Sequence, residues 1–146
     1  MAAQSNVVTL EAVNALVPRL AALMETQMSR RADIEEHIAR LVREIGRVPD
    51  AIEIADDDPA EVRELKREII QRVAGYQAAW SELEEMGAVL KDPSLGLVDF
   101  YGLVDGKRVW LCWKYGEKSV THYHGLDEGF SGRKPIEAPM RHRHLN

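Results

Sequence analysis

Apolar residues between positions 9 and 45 recur with the spacing of one face of an α-helix. They form two series with a seven-residue interval, offset by four: Val13, Leu20, Ile34 and Leu41, and Val17, Met24, Ile38 and Ile45. Two series with this offset make one continuous apolar seam along a long helix. Thr9 has the side chain of an N-cap, and Gly46 and Pro49 end the pattern. We therefore predict a helix over 9–45, which Pro18 should kink or restart.

Two polar residues, Gln27 and Arg31, interrupt this seam at its middle. Counting back from the loop that follows the helix places them opposite residues 74–78 of the next helical segment. The Tyr76 hydroxyl would then be available to either polar side chain, or Arg31 would simply extend its guanidinium into solvent. Both alternatives stay open at this point.

A second helix is predicted over 59–86. Asp58 and Pro59 make an N-cap followed by a first-turn proline, and Gly87 has the residue type that ends a helix. Its apolar stripe has spacings of three and four: Val62, Leu65, Ile69, Val73, Tyr76, Trp80 and Leu83. Because a short loop joins the two helices, we expect them to pack antiparallel as a hairpin.

From Leu97 onwards the apolar period changes to two, which predicts three strands over 97–104, 108–115 and 118–124. Asp105-Gly106 is a strong hairpin signal, and Gly116-Glu117 is a weaker one. Two-residue turns at both places predict two rows of facing residues: Phe100, Leu111 and His122, and Asp99, Cys112 and Thr121. In this register both histidines lie on the face that packs on the helices, and the Asp99 face is wet or covered by a partner. A three-residue second turn would instead place Cys112 opposite His122.

Composition narrows the class of protein. Hydrophobic residues make up 45% and charged residues 29% of the 146 positions, which is typical of one globular domain. No apolar run approaches the roughly 20 residues of a membrane-spanning helix, so no membrane association is expected. The formal net charge of -5 makes nucleic acid an unlikely partner. The single cysteine excludes an internal disulfide, and the first residues lack the pattern of a signal peptide, which predicts a cytoplasmic protein.

Candidate chemistry lies around the end of the third predicted strand. His122 and His124 point to one face because side chains alternate along a strand. With Asp127 or Glu128 from the following turn, they would make a divalent-metal site of nitrogen and oxygen donors. The alternative places His122 at the edge of the core and His124 at the end of its strand. Apart from this metal, no cofactor is expected.

A ligand site is the related hypothesis for the same region. His124, Asp127, Glu128 and Arg133 lie within ten residues, among glycines that let the chain turn tightly. An anion would use Arg133 and loop amides, whereas a cation would use His124 with a carboxylate. In the structural alternative, Arg133 forms an ion pair with Asp127 or Glu128 and closes the loop.

Cys112 is better interpreted as a buried inert thiol than as a nucleophile, because in the first register it lies away from the histidines. Asp99, directly opposite, would also disfavour a thiolate. No pair of nucleophile and base is evident, so the sequence does not name a reaction.

Several motifs resemble one known family, the bacterial domain of unknown function 2203. They are Thr9-Leu10-Glu11-Ala12 with Asn14 and Pro18, Gly96 to Phe100, Leu111-Cys112-Trp113, His124 to Asp127, Gly129-Phe130 and Gly132 to Pro135. The resemblance covers nearly the whole chain and implies a small cytoplasmic protein without an assigned activity. The family often has tryptophan before the histidine, where this chain has Tyr123, and His122 is an additional histidine.

The sequence thus predicts a single α+β domain over 1–146. A long antiparallel α-helical hairpin, coiled-coil-like, precedes a small three-stranded antiparallel β-meander and an irregular tail over 125–146. The leading function is a non-enzymatic interaction or assembly module acting through the hairpin, and the alternative is a small-ligand or metal-binding protein, with hydrolysis as one use of that site. A homodimer or protein partner is expected at the apolar seam: Leu20, Met24, Ile34, Ile38, Leu41, Ile69, Val73 and Trp80.

Overall fold

A computed structural model of the chain describes residues 7–137. The helices are α1 Leu10–Ile45, α2 Ala60–Ala79 and α3 Ser81–Glu85; the strands are β1 Ala88–Asp92, β2 Leu97–Val104, β3 Lys107–Lys114, β4 His122–His124 and β5 Lys134–Pro135. The predicted α+β class and the long first helix are confirmed. The sheet is larger than predicted, because β1 and β5 extend the three-stranded meander to five strands. Residues 138–146 of the predicted irregular tail lie outside the described residues.

Helix α1 begins and ends as the sequence indicates. The Thr9 hydroxyl accepts a hydrogen bond from the N–H of Ala12 at 3.0 Å, which is the bond of an N-cap. The helix continues through Pro18 for its full 36 residues and does not restart there. Gly46, with φ of 76°, follows its last turn in a conformation that glycine adopts at little cost.

The second predicted helix is divided at Trp80 into α2 and α3. The predicted N-cap is wrong, since Asp58 does not bind the free N–H groups of α2. Its carboxylate instead accepts hydrogen bonds from the N–H of Ala55 at 2.8 Å and from Lys66 Nζ at 2.9 Å. Asp58 therefore stabilises the loop before the helix. None of the helices within residues 7–137 combines the length and apolarity needed to cross a membrane.

The chain divides into two compact units. Among the described residues, unit 1 contains 7–24 and 82–137, and unit 2 contains Glu25–Ser81. In unit 2, the later part of α1 and helix α2 form an antiparallel pair around a core of Leu41, Val62 and Ile69. The prediction of a single domain stays a prediction.

Most of the predicted interface is already buried within the single chain. Leu20, Met24, Ile34, Leu41 and Ile69 are each at most 8% exposed. Ile38, Val73 and Trp80 keep part of their surface accessible. Any self-association at this seam would therefore use these last three residues, and the homodimer itself stays a prediction.

The polar interruption of the seam contains one buried and one solvated residue. Gln27 is 1% exposed, and its Nε2 donates a hydrogen bond to the backbone oxygen of Tyr76 at 2.8 Å. The predicted pairing with residues 74–78 is thus correct, but the acceptor is a carbonyl and not the tyrosine hydroxyl. The Arg31 side chain extends towards solvent, and its Nε lies 3.7 Å from Oε2 of Glu35.

In unit 1 the strands follow the order β1-β2-β3-β4-β5, and every neighbouring pair is antiparallel. The predicted pairing of Asp99 with Cys112 is confirmed. It is set by a two-residue turn in which Asp105 and Gly106 both have positive φ, 53° and 79°. This is the backbone of the tight hairpin that an Asp-Gly pair favours.

The register expected from a two-residue second turn is wrong, and the alternative that places Cys112 opposite His122 is the one observed. Cys112 pairs with His122, and Leu111 pairs with Tyr123, one residue away from the expected partner. The connection over 115–121 is seven residues long and not the two of a tight turn. Because a shift of one residue exchanges the two faces of a strand, His122 and His124 lie on the Asp99 face.

Of the two predicted alternatives for the Asp99 face, exposure to solvent is wrong. Asp99 and Cys112 are each 1% exposed and Trp110 is 7% exposed, because the chain itself covers them. Arg133, from the segment after β4, donates to the carbonyl oxygen of Cys112 at 3.3 Å. The opposite face supplies core residues of unit 1: Val98, Phe100, Leu111 and Trp113.

Candidate metal centre

Three residues with metal-binding side chains meet on the covered face of the sheet. Asp99 is on β2, Cys112 is its partner on β3, and His124 is on β4, paired with Trp110. Side chains on one face of neighbouring strands lie close together, so the register alone brings the three into one place. All three are buried, and His124 is 3% exposed.

The donor atoms of this group converge. One carboxylate oxygen of Asp99, Sγ of Cys112 and one ring nitrogen of His124 all lie within 4.8 Å of one another. Among residues 7–137, these three form the cluster of histidine, cysteine and acidic side chains whose donor atoms lie close enough together to hold one metal ion. The shortest contact joins His124 Nε2 to Asp99 Oδ2 at 2.8 Å.

The contact made by Nδ1 of His124 determines which ring nitrogen remains free to bind a metal ion. Nδ1 lies 3.1 Å from the carbonyl oxygen of Gly125. A carbonyl can only accept, so Nδ1 carries the proton of this hydrogen bond. Nε2 is therefore the ring nitrogen that faces Asp99 Oδ2, and it is the atom left to coordinate a metal ion.

One of the two carboxylate oxygens of the buried Asp99, Oδ1, lacks a hydrogen-bond partner among the described residues. Burial raises the pKa of Asp99 above its ordinary value, while the facing His124 opposes that rise. A buried acceptor left without a partner costs free energy, so this oxygen has unused binding capacity.

Cys112 is not an activated nucleophile in the metal-free chain. Burial and, after it, the negative charge of Asp99 raise the pKa of the thiol to about 12. The thiol is therefore protonated at neutral pH, which agrees with the predicted inert cysteine. A bound divalent cation would reverse this preference, because a coordinating thiol is deprotonated.

A cavity of about 150 Å³ adjoins the group, lined by Lys91, Leu97, Asp99, Cys112, His124, Glu128, Gly129 and Phe130. It leaves room for a ligand beside the three donor atoms. A metal site with three protein ligands and one open position is the usual arrangement where zinc also binds water or substrate.

The residues predicted for a metal site lie in different surroundings. His122 Nδ1 is 2.8 Å from the hydroxyl of Thr121, and Asp127 is exposed. Glu128 Oε1 accepts a hydrogen bond from the N–H of Gly125 at 2.7 Å, so it closes the turn after β4. Of the four residues predicted to bind a metal, His124 is the one found in the cluster with Asp99 and Cys112 among the described residues.

Arg133 also differs from its predicted role. It does not pair with Asp127 or Glu128; its Nη2 lies 2.9 Å from both carboxylate oxygens of Glu117. The guanidinium also lies 4.8 Å from the ring centre of Phe130. Arg133 therefore acts on the connection between β3 and β4, and it is not among the residues that line the cavity.

Sequence reasoning missed Asp99 and Cys112 as partners of His124. The sequence signal is the pairing of Asp99 with Cys112 together with the alternative register that places Cys112 opposite His122. Only the register of β4 decides whether His124 faces that pair, and a seven-residue connection does not fix it.

Comparison with known proteins identifies the family. The sequence profile of the uncharacterized conserved protein family DUF2203 matches residues 6–136. The chain belongs to DUF2203. The resemblance found in the motifs is thereby confirmed, and the family has no assigned activity to transfer.

Outside DUF2203, similarity is partial. The mRNA export factor GLE1 of Rattus norvegicus and that of Mus musculus are each 33% identical to this chain over 72 residues. The match covers 49% of the chain but spans 10% of the length of either relative. No solved structure matches the chain significantly.

Proposed function

We propose that this DUF2203 protein binds one divalent transition-metal ion, zinc being the best fit, through Asp99, Cys112 and His124. The observation that carries the proposal is the convergence of oxygen, sulfur and nitrogen donors within 4.8 Å at a buried place on the sheet. Three donors of these types on three separate strands hold a fixed geometry, because the backbone pairing of the sheet positions all of them.

The orientation of His124 supports this function. Histidines that bind metals nearly always donate their other ring N–H to a carbonyl or a carboxylate, which fixes the ring and the tautomer. The Nδ1 to Gly125 contact at 3.1 Å supplies that bond and leaves Nε2 for the metal. The unpaired Oδ1 of Asp99 would gain a partner by the same event.

Charge supports it as well. A carboxylate and a thiolate together carry two negative charges, which neutralise a divalent cation in a site where net charge is costly. A thiolate ligand favours zinc and other soft or borderline ions over magnesium and calcium, which prefer oxygen. Metal binding would also remove the proton that the thiol holds in the metal-free chain.

The interaction module through the helical hairpin receives less support. Five of its eight predicted contact residues are buried within the single chain. The partial match to GLE1 adds no specific role, since it covers a tenth of those proteins. Light scattering of the native chain tests self-association independently of the metal.

The deciding experiment loads the full chain with cobalt(II) as a spectroscopic substitute for zinc, alongside metal analysis of the protein as purified. We expect about one metal ion per chain and a thiolate-to-cobalt charge-transfer band in the near ultraviolet. Cys112→Ser should abolish the band, and Asp99→Asn should lower the affinity for cobalt by at least about tenfold.

His122→Gln is the matched control, because His122 neighbours the site on the same strand but bonds to Thr121. Its cobalt spectrum should equal that of the unaltered chain. A cobalt spectrum without the thiolate band, together with metal-free native protein, would overturn the proposed function. A band that survives in Cys112→Ser would do the same.

A further inference from the structure

Lys91 is the one residue of β1 that stands outside the strand pairing. Leu90 pairs with Val98 and Asp92 pairs with Leu97, so Lys91 is the extra residue of a β-bulge. Val89 pairs with Asp99, so the alternation of side chains along β1 places Lys91 on the face of the sheet that carries Asp99. Bulges occur often beside functional sites.

The position of the ammonium group is well defined. Lys91 Nζ lies 3.9 Å from the ring centre of Trp110, a favourable cation–π distance. Trp110 is itself fixed, being 7% exposed and stacked on Tyr101 with the ring centres 4.0 Å apart. Lys91 also lines the cavity beside Asp99, and its positive charge acts against the rise that burial causes in the pKa of Asp99.

The charges around the cavity favour a monoanion over a dianion. A divalent metal with the Asp99 carboxylate and the Cys112 thiolate is neutral, and Lys91 and Glu128 add one positive and one negative charge to the lining. Glu128 is exposed and one of its oxygens accepts from the N–H of Gly125, so Lys91 is the cation of the lining that can face a bound anion. The negative charge of Glu128 disfavours a dianion such as phosphate in the same space.

The size of the cavity and the polarity of its lining indicate which class of ligand it can hold. The cavity of about 150 Å³ is small, which suits a carboxyl group with a short carbon chain. Leu97 and Phe130 give this wall an apolar surface, suited to methyl or methylene groups.

We infer that the site binds a short aliphatic carboxylate, with one oxygen on the metal and the other directed at Lys91. The carbon chain lies against Leu97 and Phe130. This inference rests on the proposed metal function, because the first oxygen needs the metal. Lys91 supplies charge and orientation from outside the coordination sphere.

Acetate, propionate and inorganic phosphate are the probes, titrated into the cobalt-loaded full chain while the visible absorption of cobalt is followed. Acetate and propionate should shift the spectrum in a saturable manner, and phosphate should bind more weakly than either. Lys91→Met should weaken acetate binding by about tenfold, the effect of one partly screened ion pair. It should leave the thiolate band unchanged.

Lys107→Met is the matched control, since Lys107 is an exposed lysine of the same sheet outside the cavity lining. Its acetate affinity should equal that of the unaltered chain, and Lys91→Arg should retain most of it. If acetate leaves the spectrum unchanged, or binds equally well to Lys91→Met, the inference is wrong while the metal function stands. Absence of the thiolate band overturns both.

Discussion

Arg133 Nη2 lies 2.9 Å from each carboxylate oxygen of Glu117, in the connection between β3 and β4. The same atom donates to the backbone oxygen of Cys112 at 3.3 Å. Glu117 in turn accepts a hydrogen bond from the N–H of Lys114 at 2.8 Å. One guanidinium thus holds the connection over 115–121 against the strand that carries the candidate metal ligand Cys112.

Arg133→Ala should therefore reduce the free energy of unfolding by about 1–3 kcal/mol, the usual cost of losing hydrogen bonds to a charged, partly buried group. The Arg133 side chain is 13% exposed and that of Glu117 is 27% exposed, so solvent screens the pair only in part. Urea denaturation measures the change. Arg67→Ala is the control, because the Arg67–Glu64 pair is 46% and 59% exposed and should contribute about 0.5 kcal/mol or less. Equal losses in the two variants would contradict this role of Arg133.

Gln27 and Arg31 should respond differently to the same substitution. Gln27→Leu removes the bond to Tyr76 and the contact of Gln27 Oε1 with Arg30 at 2.7 Å, so unfolding should become easier by about 1–3 kcal/mol. Arg31→Leu should change stability by about 0.5 kcal/mol or less, because its side chain is 41% exposed. Thermal unfolding of both variants tests this pair of expectations. A larger loss in Arg31→Leu would show that Arg31, and not Gln27, fixes the packing of the helices.

Asp58 should make stability depend on pH in the acid range. The N–H of Ala55 and then Lys66 lower the pKa of Asp58 below its ordinary value of 3.8. The unfolded chain then binds more protons between the two pKa values, so the stabilisation is complete above pH 3.8 and disappears as the pH falls through the lower, native pKa.

Asp58→Asn should consequently be less stable than the unaltered chain at neutral pH, and the difference should close as the solution is acidified. Unfolding curves at a series of pH values measure it. Asp57→Asn provides the comparison, since Asp57 is an exposed neighbour in the same loop. A difference that stays constant down to the most acidic condition would refute the assignment.

The sequence predicts best where a local backbone requirement coincides with the long-range pairing. Asp105 and Gly106 can both adopt positive φ, and this requirement alone fixes the register of β2 against β3, including Asp99 opposite Cys112. The limits of α1 are predictable for the same reason, because Thr9 and Gly46 supply the cap and the end locally. In such places the neighbours in sequence determine the structure.

The candidate site depends on contacts that no local pattern contains. The direction of His124 follows from the register of β4, and the connection before β4 is held by Arg133, which comes later in the chain. The bulge at Lys91 is likewise invisible in the alternation of apolar and polar residues. The sequence could therefore identify His124 as a candidate ligand, but not its partners Asp99 and Cys112.

The bulge in β1 also bears on how copies of this protein meet. β1 and β5 are the outer strands of the sheet, where unpaired backbone groups can recruit a strand from another molecule. On one side Lys91 interrupts the row with a charge and a kink, and on the other the strand is only Lys134–Pro135, whose proline has no N–H to offer. Both rims thus discourage strand addition, so the protein should resist edge-to-edge aggregation even when it is concentrated.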